Sequence, residues 1–487
     1  MGTKIPLPIA NGFYRSSSLP FSCQRCVNWI PIVAESNALN DRALMDIPGL
    51  VQFATLSSYA ARGGVTMGGV PYFVSGSYLY SIDRTGTKTQ IGIITGTRKV
   101  SMAHNGVKLC IVVPGGSAYV FDKDLNTLQR ISDPDYVPSD TVVFKDGYFI
   151  FTATDGDIFF ISALNDPTDI DALDFGSAEA NPDLILAAHV NHNELYILGE
   201  LTIQFFQNNP TGSGFPFQSI QSAIIEKGIH ARQSCVDFDN TFLFVGGGLN
   251  EGTAIWKVTG SSSVVKISTD SIDAEIQKFT RDEIANAYSM TFTLKGQFLA
   301  LFTFESTTIP SKTFVYNATA SAFSGRAEWF ELQSGDNEDK WRVNCIIQAY
   351  GKLLCGDSVD GRIGYLDVNT FTDYGQTRHR MVTSSPYSDN EIPIFQGQME
   401  LTMTSGTGLQ SGQGSDPQIR MDYSDDGGRT WSYPTSRSYG GIGEYGSLAI
   451  WRRLGRVPRH RVLRFQTSEP VQSDILKLCT YASQGTQ

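Results

Sequence analysis

The chain has 487 residues, with Lys+Arg 38 against Asp+Glu 49 and a formal net charge of −11. Its 41% hydrophobic and 18% charged content is too apolar for a disordered chain, and the acidic balance argues against a free-standing nucleic-acid binder, which needs a basic surface to meet phosphates. Gly 47, Phe 29 and Tyr 20 beside so few charges mark many short strands joined by tight turns.

Residues 1–45, rich in Pro and polar turns, read as an extended N-terminal arm able to close a ring of sheets. GTKIPLPIANG after Met1 lacks the continuous apolar core of a secretory leader. Pro6 stands where N-myristoylation wants Ser or Thr. Cys23-Gln24-Arg25-Cys26 is a CxxC, but zinc commonly takes two such pairs and no second one exists. His189 and His192 are far along the chain, so no metal or other cofactor is expected. The seven cysteines are few and odd in number, and read as buried thiols of a chain made in a reducing cytoplasm.

From 46 to 373 one unit recurs: an alternating strand, a short turn holding Gly or Asn, and a second alternating strand. It occurs as VPYFVSGSYLYSID around Gly76, VSMAHNGVKLCIVV around Gly106, VVFKDGYFIFTAT around Gly147 and AAHVNHNELYILG around Asn193. SCVDFDNTFLFVGGG around Asn240, TFTLKGQFLALFTF around Gly296 and IIQAYGKLLCGDS around Gly351 follow. Asn and Gly accept the positive φ of a tight hairpin. A third apolar stretch follows most units, as in AYVFD from Ala118, IFFIS from Ile158 and IGYLD from Ile363. Spacings of about 30 to 56 residues fit β-propeller blades, whose period is about 40–50, and predict about seven of them. Apolar runs such as LCIVVPGG from Leu109 are too short to span a bilayer, so no membrane insertion is expected.

Helix is scarce. A helical insertion is predicted near 271–290, where Thr280 and Glu283 form a capping box and Ile284, Ala287 and Tyr288 share a face. A shorter helix is predicted after Asp169. Residues 374–487 change texture. Strands are predicted from Gln398, Ile419, Leu448, Arg461 and Ile475, separated by Gly/Ser loops suited to partner contact. This segment reads as a β-sandwich, and the fold class as all-β.

Two motifs stand out in it. Ser424, Asp426, Gly428, Thr430 and Trp431 form an Asp box, a hairpin turn in which the carboxylate accepts turn amides. Asp boxes occur in sialidases, so an Asp-box glycosidase or a glycan-binding propeller is the alternative reading. No Arg-Ile-Pro motif accompanies the box, and paired catalytic carboxylates cannot be singled out. The second motif is a basic run without an acid: Trp451, Arg452, Arg453, Arg456, Arg459, Arg461 and Arg464. Planar guanidinium forks favour carboxylates and phosphates, which makes the run a candidate interface; its plainer reading is a hairpin with solvated arginines. No phosphate loop, nucleophile elbow or HExxH zinc motif occurs, so no catalytic residue is assigned.

Several segments together resemble the packaged-DNA-stabilisation, or tail hub (nozzle), proteins of short-tailed bacteriophages. They are Arg98 to Gly106, Leu201 to Phe206, Glu226-Lys227-Gly228-Ile229, Thr280 to Ile284, Cys355-Gly356-Asp357 and Trp451 to Arg456, in the same order. The resemblance runs from about Asp46 to Phe465. It implies a structural virion protein, not an enzyme: six copies form a ring that extends the DNA channel below the portal and the tail adaptor protein. It further implies attachment of tail spikes or fibres, closure by a needle or plug, retention of packaged DNA, and passage of DNA without sequence-specific binding. The net negative charge suits a tube in which DNA must slide.

Overall fold

The computed structural model describes residues 3–178, 183–209, 214–260, 263–389 and 392–484. Seven antiparallel sheets succeed one another around a ring. The first blade is Ala61–Met67, Val70–Ser75, Tyr78–Ile82 and Lys88–Ile93, paired in chain order from the inside outward. Blades two to four repeat this with inner strands Ser101–His104, Ser139–Lys145 and Ile185–Asn191. The inner strands of blades five and six are Val236–Phe238 and Tyr288–Leu294. The seventh blade combines Val343–Ala349, Lys352–Asp357 and Arg362–Asp367 with an outer strand from the other end of the propeller, Gly49–Thr55. Val343–Ala349 lies against Ala61–Met67, and Asn344 Nδ2 donates to the Ala61 carbonyl at 2.6 Å, closing the ring.

The hairpins form for local reasons. Asp146 and Gly147 both take positive φ, 50° and 90°, between the paired residues Lys145 and Tyr148. That is the two-residue turn whose twist matches flanking strands, and Gly adopts it without steric cost. Alternation then gives each blade two apolar faces. Leu79 of blade one shares a buried cluster with Leu109, Ile111 and Phe121 of blade two, and Phe159 of blade three packs edge-on against Phe206 of blade four, with Leu195 in the same cluster. Each such side chain contributes roughly 1.5–3 kcal/mol on burial, so the ring is held by apolar seams between successive blades.

Five features differ from the sequence reading. The Gly76 turn joins the second and third strands of its blade, whereas the other turns join the first and second; the first hairpin of that blade turns at Gly68-Gly69. The segment after Asp169 is strand, not helix: Asp166–Ser177 pairs with Ile158–Ala163 and completes the third blade. The arm, 1–45, does not close the ring. Its strands Trp29–Val33 and Arg42–Asp46 extend a sandwich sheet, Thr3–Leu7 pairs with Ile475–Gln484, and Cys26–Val27 bridges Trp329–Leu332 of blade six to Arg380–Thr383 of the sandwich. The predicted insertion between blades five and six is two short helices, Asp270–Ile276 and Arg281–Ala285, the latter with the Thr280–Glu283 capping box; Tyr288 already belongs to the following strand. A further helix, Ala318–Ser324, is capped by Asn317 and carried no sequence signal beyond small residues.

The C-terminal strands form two sheets. Ile394–Met403 lies between Ala449–Val457 and Ile475–Gln484 in one; Val462–Thr467 lies between Arg380–Thr383 and Gln418–Ser424 in the other. Met399, Leu401, Trp451, Leu463 and Phe465 fill the space between them, in a cluster that continues into blades six and seven. Among the described residues no helix is long and apolar enough to cross a membrane.

Candidate interface on the sandwich

The basic run crosses from one sandwich sheet to the other, and the structure divides it. Trp451 is 1% exposed; its ring meets Phe465 edge-on at 5.6 Å and its Nε1 donates to the Thr435 carbonyl at 3.1 Å. It is a core residue, not a contact residue, because the strand's alternation turns it inward. Arg461 is equally buried. Its Nε and Nη2 grip Asp425 at 2.7 and 2.8 Å, its Nη1 reaches the Leu454 carbonyl at 2.8 Å, and its guanidinium stacks 3.7 Å from the Tyr423 ring centre. Arg464 forks onto Asp422 and lies 4.0 Å from the centre of the Trp431 ring. Both arginines thus hold the sandwich together, and only four members of the run are left for an outside partner.

Those four are Arg452, Arg453, Arg456 and Arg459, all exposed and, among the described residues, all without an ion-pair partner. The strand bulges opposite Gln396–Gln398, where Arg453 and Gly455 take positive φ of 62° and 79°. A bulge re-aims side chains by inserting extra residues into one strand of a pair. Here it presents guanidinium groups at the edge of the sheet, beside the half-exposed Phe395 that pairs with Arg456.

The Asp box forms as the sequence predicts. Asp426 Oδ1 accepts from the amides of Arg429 and Thr430 at 2.9 Å, its Oδ2 accepts from the Thr430 hydroxyl at 2.6 Å, and the Ser424 hydroxyl donates to its Oδ1 at 2.6 Å. These bonds, the Ser424 and Thr430 hydroxyls first, hold the Asp426 carboxyl well below the usual carboxylate range. Gly427 and Gly428 take φ of 76° and 92°; a Cβ would lie 2.5 Å from Pro20 Cα at the first and 2.8 Å from Cys23 Sγ at the second. The turn therefore docks onto the arm. Asp426→Ala is expected to lower stability by about 1 kcal/mol, as for other lost turn bonds, read from urea midpoints at neutral pH. The difference between variant and parent shrinks as pH falls, since a depressed carboxyl stabilises only while ionised.

The two Gly/Ser loops are tied to each other. Gly443 donates its amide to the Gly406 carbonyl at 3.1 Å, and Ser405 Oγ donates to the Tyr445 carbonyl at 2.9 Å. Their apolar residues point outward: Ile442 is 58% and Tyr445 77% exposed. The CxxC thiols are free; burial pushes the Cys26 thiol well above its ordinary value. No group of three or more His, Cys, Asp or Glu among the described residues is placed to hold a metal.

A second constellation carried almost no sequence signal. Arg380, fully buried, donates from Nε to Asp46 at 2.7 Å, and Arg378 lies 3.8 Å from the same carboxylate. Asp46 also accepts from the Ser473 hydroxyl at 3.0 Å. Arg378-His379-Arg380 looks like an exposed basic patch until Asp46, more than 300 residues away, is known to face it.

Comparison with known families decides what this architecture is. Residues 5–371 match the family model described as bacteriophage P22 Gp10, beta-propeller, and residues 378–479 match its companion, bacteriophage P22 Gp10, beta-sandwich. The chain belongs to the bacteriophage P22 Gp10 family. As a member of the Gp10 family it is a structural protein of the phage tail, and its place is the virion. Among solved structures, the chain is similar to the C-terminal WD40 domain of Sif2, at 10% identity and a TM-score of 0.40, covering 66% of this chain and 99% of that one. It is similar also to the computationally designed Ika8 protein, at 11% identity and a TM-score of 0.36, covering 65% and 99%. No curated protein sequence matches it significantly.

Proposed function

We propose that this protein is the tail hub, or nozzle, of a short-tailed phage: a homohexameric ring that extends the DNA channel below the portal and adaptor. In this reading it retains the packaged genome, lets DNA pass without reading its sequence, and anchors tail spikes or fibres and a needle or plug. It is made in the host cytoplasm and works without membrane insertion. The observation that carries the reading is family membership across both the propeller and the sandwich. Two physical features support it. The circular propeller and the sandwich share one continuous sheet through Cys26–Val27, a stiff connection suited to bearing load between stacked rings. The exposed arginine strip suits an acidic surface on a neighbour, and a chain of net charge −11 offers such surface on every copy. A ring of identical copies pairs unlike patches, so a basic strip meeting an acidic face is the expected arrangement.

Electron microscopy of the purified protein mixed with its adaptor tests this. Six-fold rings on the adaptor are expected; a chain that stays monomeric with the adaptor, and is absent from purified virions, overturns the reading. Replacing Arg452, Arg453 and Arg456 together with Ser is expected to weaken ring formation while moving stability by no more than about 0.5 kcal/mol per site, because exposed unpaired charges contribute little to folding. Parallel loss of fold and assembly would make the strip structural instead.

A further inference from the structure

A cavity of about 650 Å³ opens at one mouth of the propeller axis. It is built where the chain enters the inner strands: Arg98 and Lys99 precede Ser101–His104, Arg232 precedes Val236–Phe238, and Lys340 precedes Val343–Ala349. Its volume falls in the range of small-molecule sites, roughly 300–1,000 Å³. Its acids are engaged. Asp140 meets Arg232 at 3.0 Å, Glu305 pairs with Lys340, and Glu283 turns back to accept from the Thr280 amide at 2.8 Å in its helix cap. Two cations have no carboxylate partner among the described residues, Arg98 and Lys99. Lys99 Nζ donates to the Asn344 carbonyl at 2.6 Å and sits 3.4 Å from the centre of the Tyr288 ring. Lys99 is partly buried, and a cation held against a ring and a carbonyl with no carboxylate in contact has room for a paired counter-charge.

We propose that this axial cavity binds a small organic phosphate, with Lys99 and Arg98 meeting the phosphate and the Thr97 and Thr307 hydroxyls donating from the rim. A phosphate spreads charge over several acceptor oxygens, which suits one guanidinium fork, one ammonium and flanking hydroxyls. Inorganic phosphate alone would leave much of the volume empty, and Pro114, Ala285 and Ala287 give the remainder apolar walls.

Burial pulls the Lys99 ammonium down to about 8, against the opposing charge of Glu305 and with Lys340 adding to it. Tyr288 also faces it; burial holds both the Tyr288 phenol and the Cys345 thiol in their neutral forms to higher pH than usual. A phosphate monoester is a dianion throughout the range above about pH 7, so loss of affinity on raising the pH reports a protein group.

Titration calorimetry of the full chain with deoxyadenosine monophosphate, deoxyadenosine and inorganic phosphate tests the site. The monophosphate is expected to bind, inorganic phosphate more weakly, and the nucleoside not at all. R98S is expected to weaken monophosphate binding about tenfold and K99M to abolish it, the scale of a charged hydrogen bond lost. Raising the pH from about 7 to about 9 is expected to weaken binding about tenfold as Lys99 loses its proton. Equal binding of nucleoside and monophosphate overturns the proposal. So does an absence of heat with all three probes, or binding by R98S that matches the parent at both pH values. Since Arg98 is exposed, R98S keeps the test decisive if K99M fails to fold.

Discussion

Asp46→Ala is expected to destabilise the protein by about 3–5 kcal/mol, the cost of removing one partner from a buried ion cluster. Asp46 and Arg380 are both fully buried, with Nε and Oδ1 2.7 Å apart. The other Asp46 oxygen accepts from the Ser473 amide at 3.2 Å and hydroxyl at 3.0 Å. Arg380 Nη2 donates to the Phe371 carbonyl at 3.1 Å and its Nη1 to the Glu469 carbonyl at 2.9 Å. The cluster therefore joins the segment leaving blade seven, the arm strand entering the propeller and the sandwich loop between Val462–Thr467 and Ile475–Gln484. Without Asp46 the nearest remaining carboxylate to Arg378 is Asp373, at 3.4 Å, and Arg380 keeps only carbonyls. Urea unfolding read separately by propeller and sandwich probes should show both transitions moving to lower denaturant. Asp46→Ala combined with Arg380→Met should recover part of the loss, because an apolar replacement no longer buries an unpaired charge. A single variant within about 0.5 kcal/mol of the parent would deny the cluster its role as the joint.

Arg25→Met is the other large effect, expected at about 3 kcal/mol, toward the low end for a broken buried pair because Lys312 remains. Arg25 lies in the arm and grips Glu331 of blade six from Nε and Nη2 at 2.8 and 2.9 Å; its Nη1 reaches Glu338 at 2.6 Å. Lys312 adds a bond to Glu331 at 3.2 Å. Burial alone would raise the Glu331 carboxyl, but Arg25 and then Lys312 outweigh it and hold it down to about 2, from an ordinary 4.5. The folded value is the lower one, so the stability Glu331 contributes is complete above 4.5 and is lost as the pH falls from there toward 2. The parent should lose stability across that window, and Arg25→Met should start lower and fall less steeply. Urea midpoints in steps across the window measure both. Parallel curves for the two proteins would show that Arg25 does not govern Glu331.

The hairpins that make the blades were legible because their causes are local. A turn such as Asp146-Gly147 needs positive φ within two residues, and the strands beside it need only alternate. The same locality explains the phase error in blade one: Gly76 satisfies the turn pattern as well as Gly68-Gly69, and nothing within a dozen residues says which hairpin faces the axis. The basic run was legible as a concentration of charge and misleading as a surface. Arg461 has the same side chain as Arg459, yet one is inside and the other outside, because Asp425 lies across the neighbouring strands from the first. The Asp box was fully legible, since all its bonds close within Ser424 to Thr430.

By itself the sequence determined an all-β chain of recurring hairpins, its one capping box, its one Asp box and a run of arginines without acids, since each is set by residues a few positions apart. Only the tertiary structure decided that Gly49–Thr55 closes the seventh blade, that the arm is woven into the sandwich, and which arginines are consumed in holding the domains together. Those choices depend on strand edges and carboxylates that meet across tens to hundreds of residues. Burial of a charge is decided by whether such a partner arrives, and a residue's neighbours in the chain do not specify that.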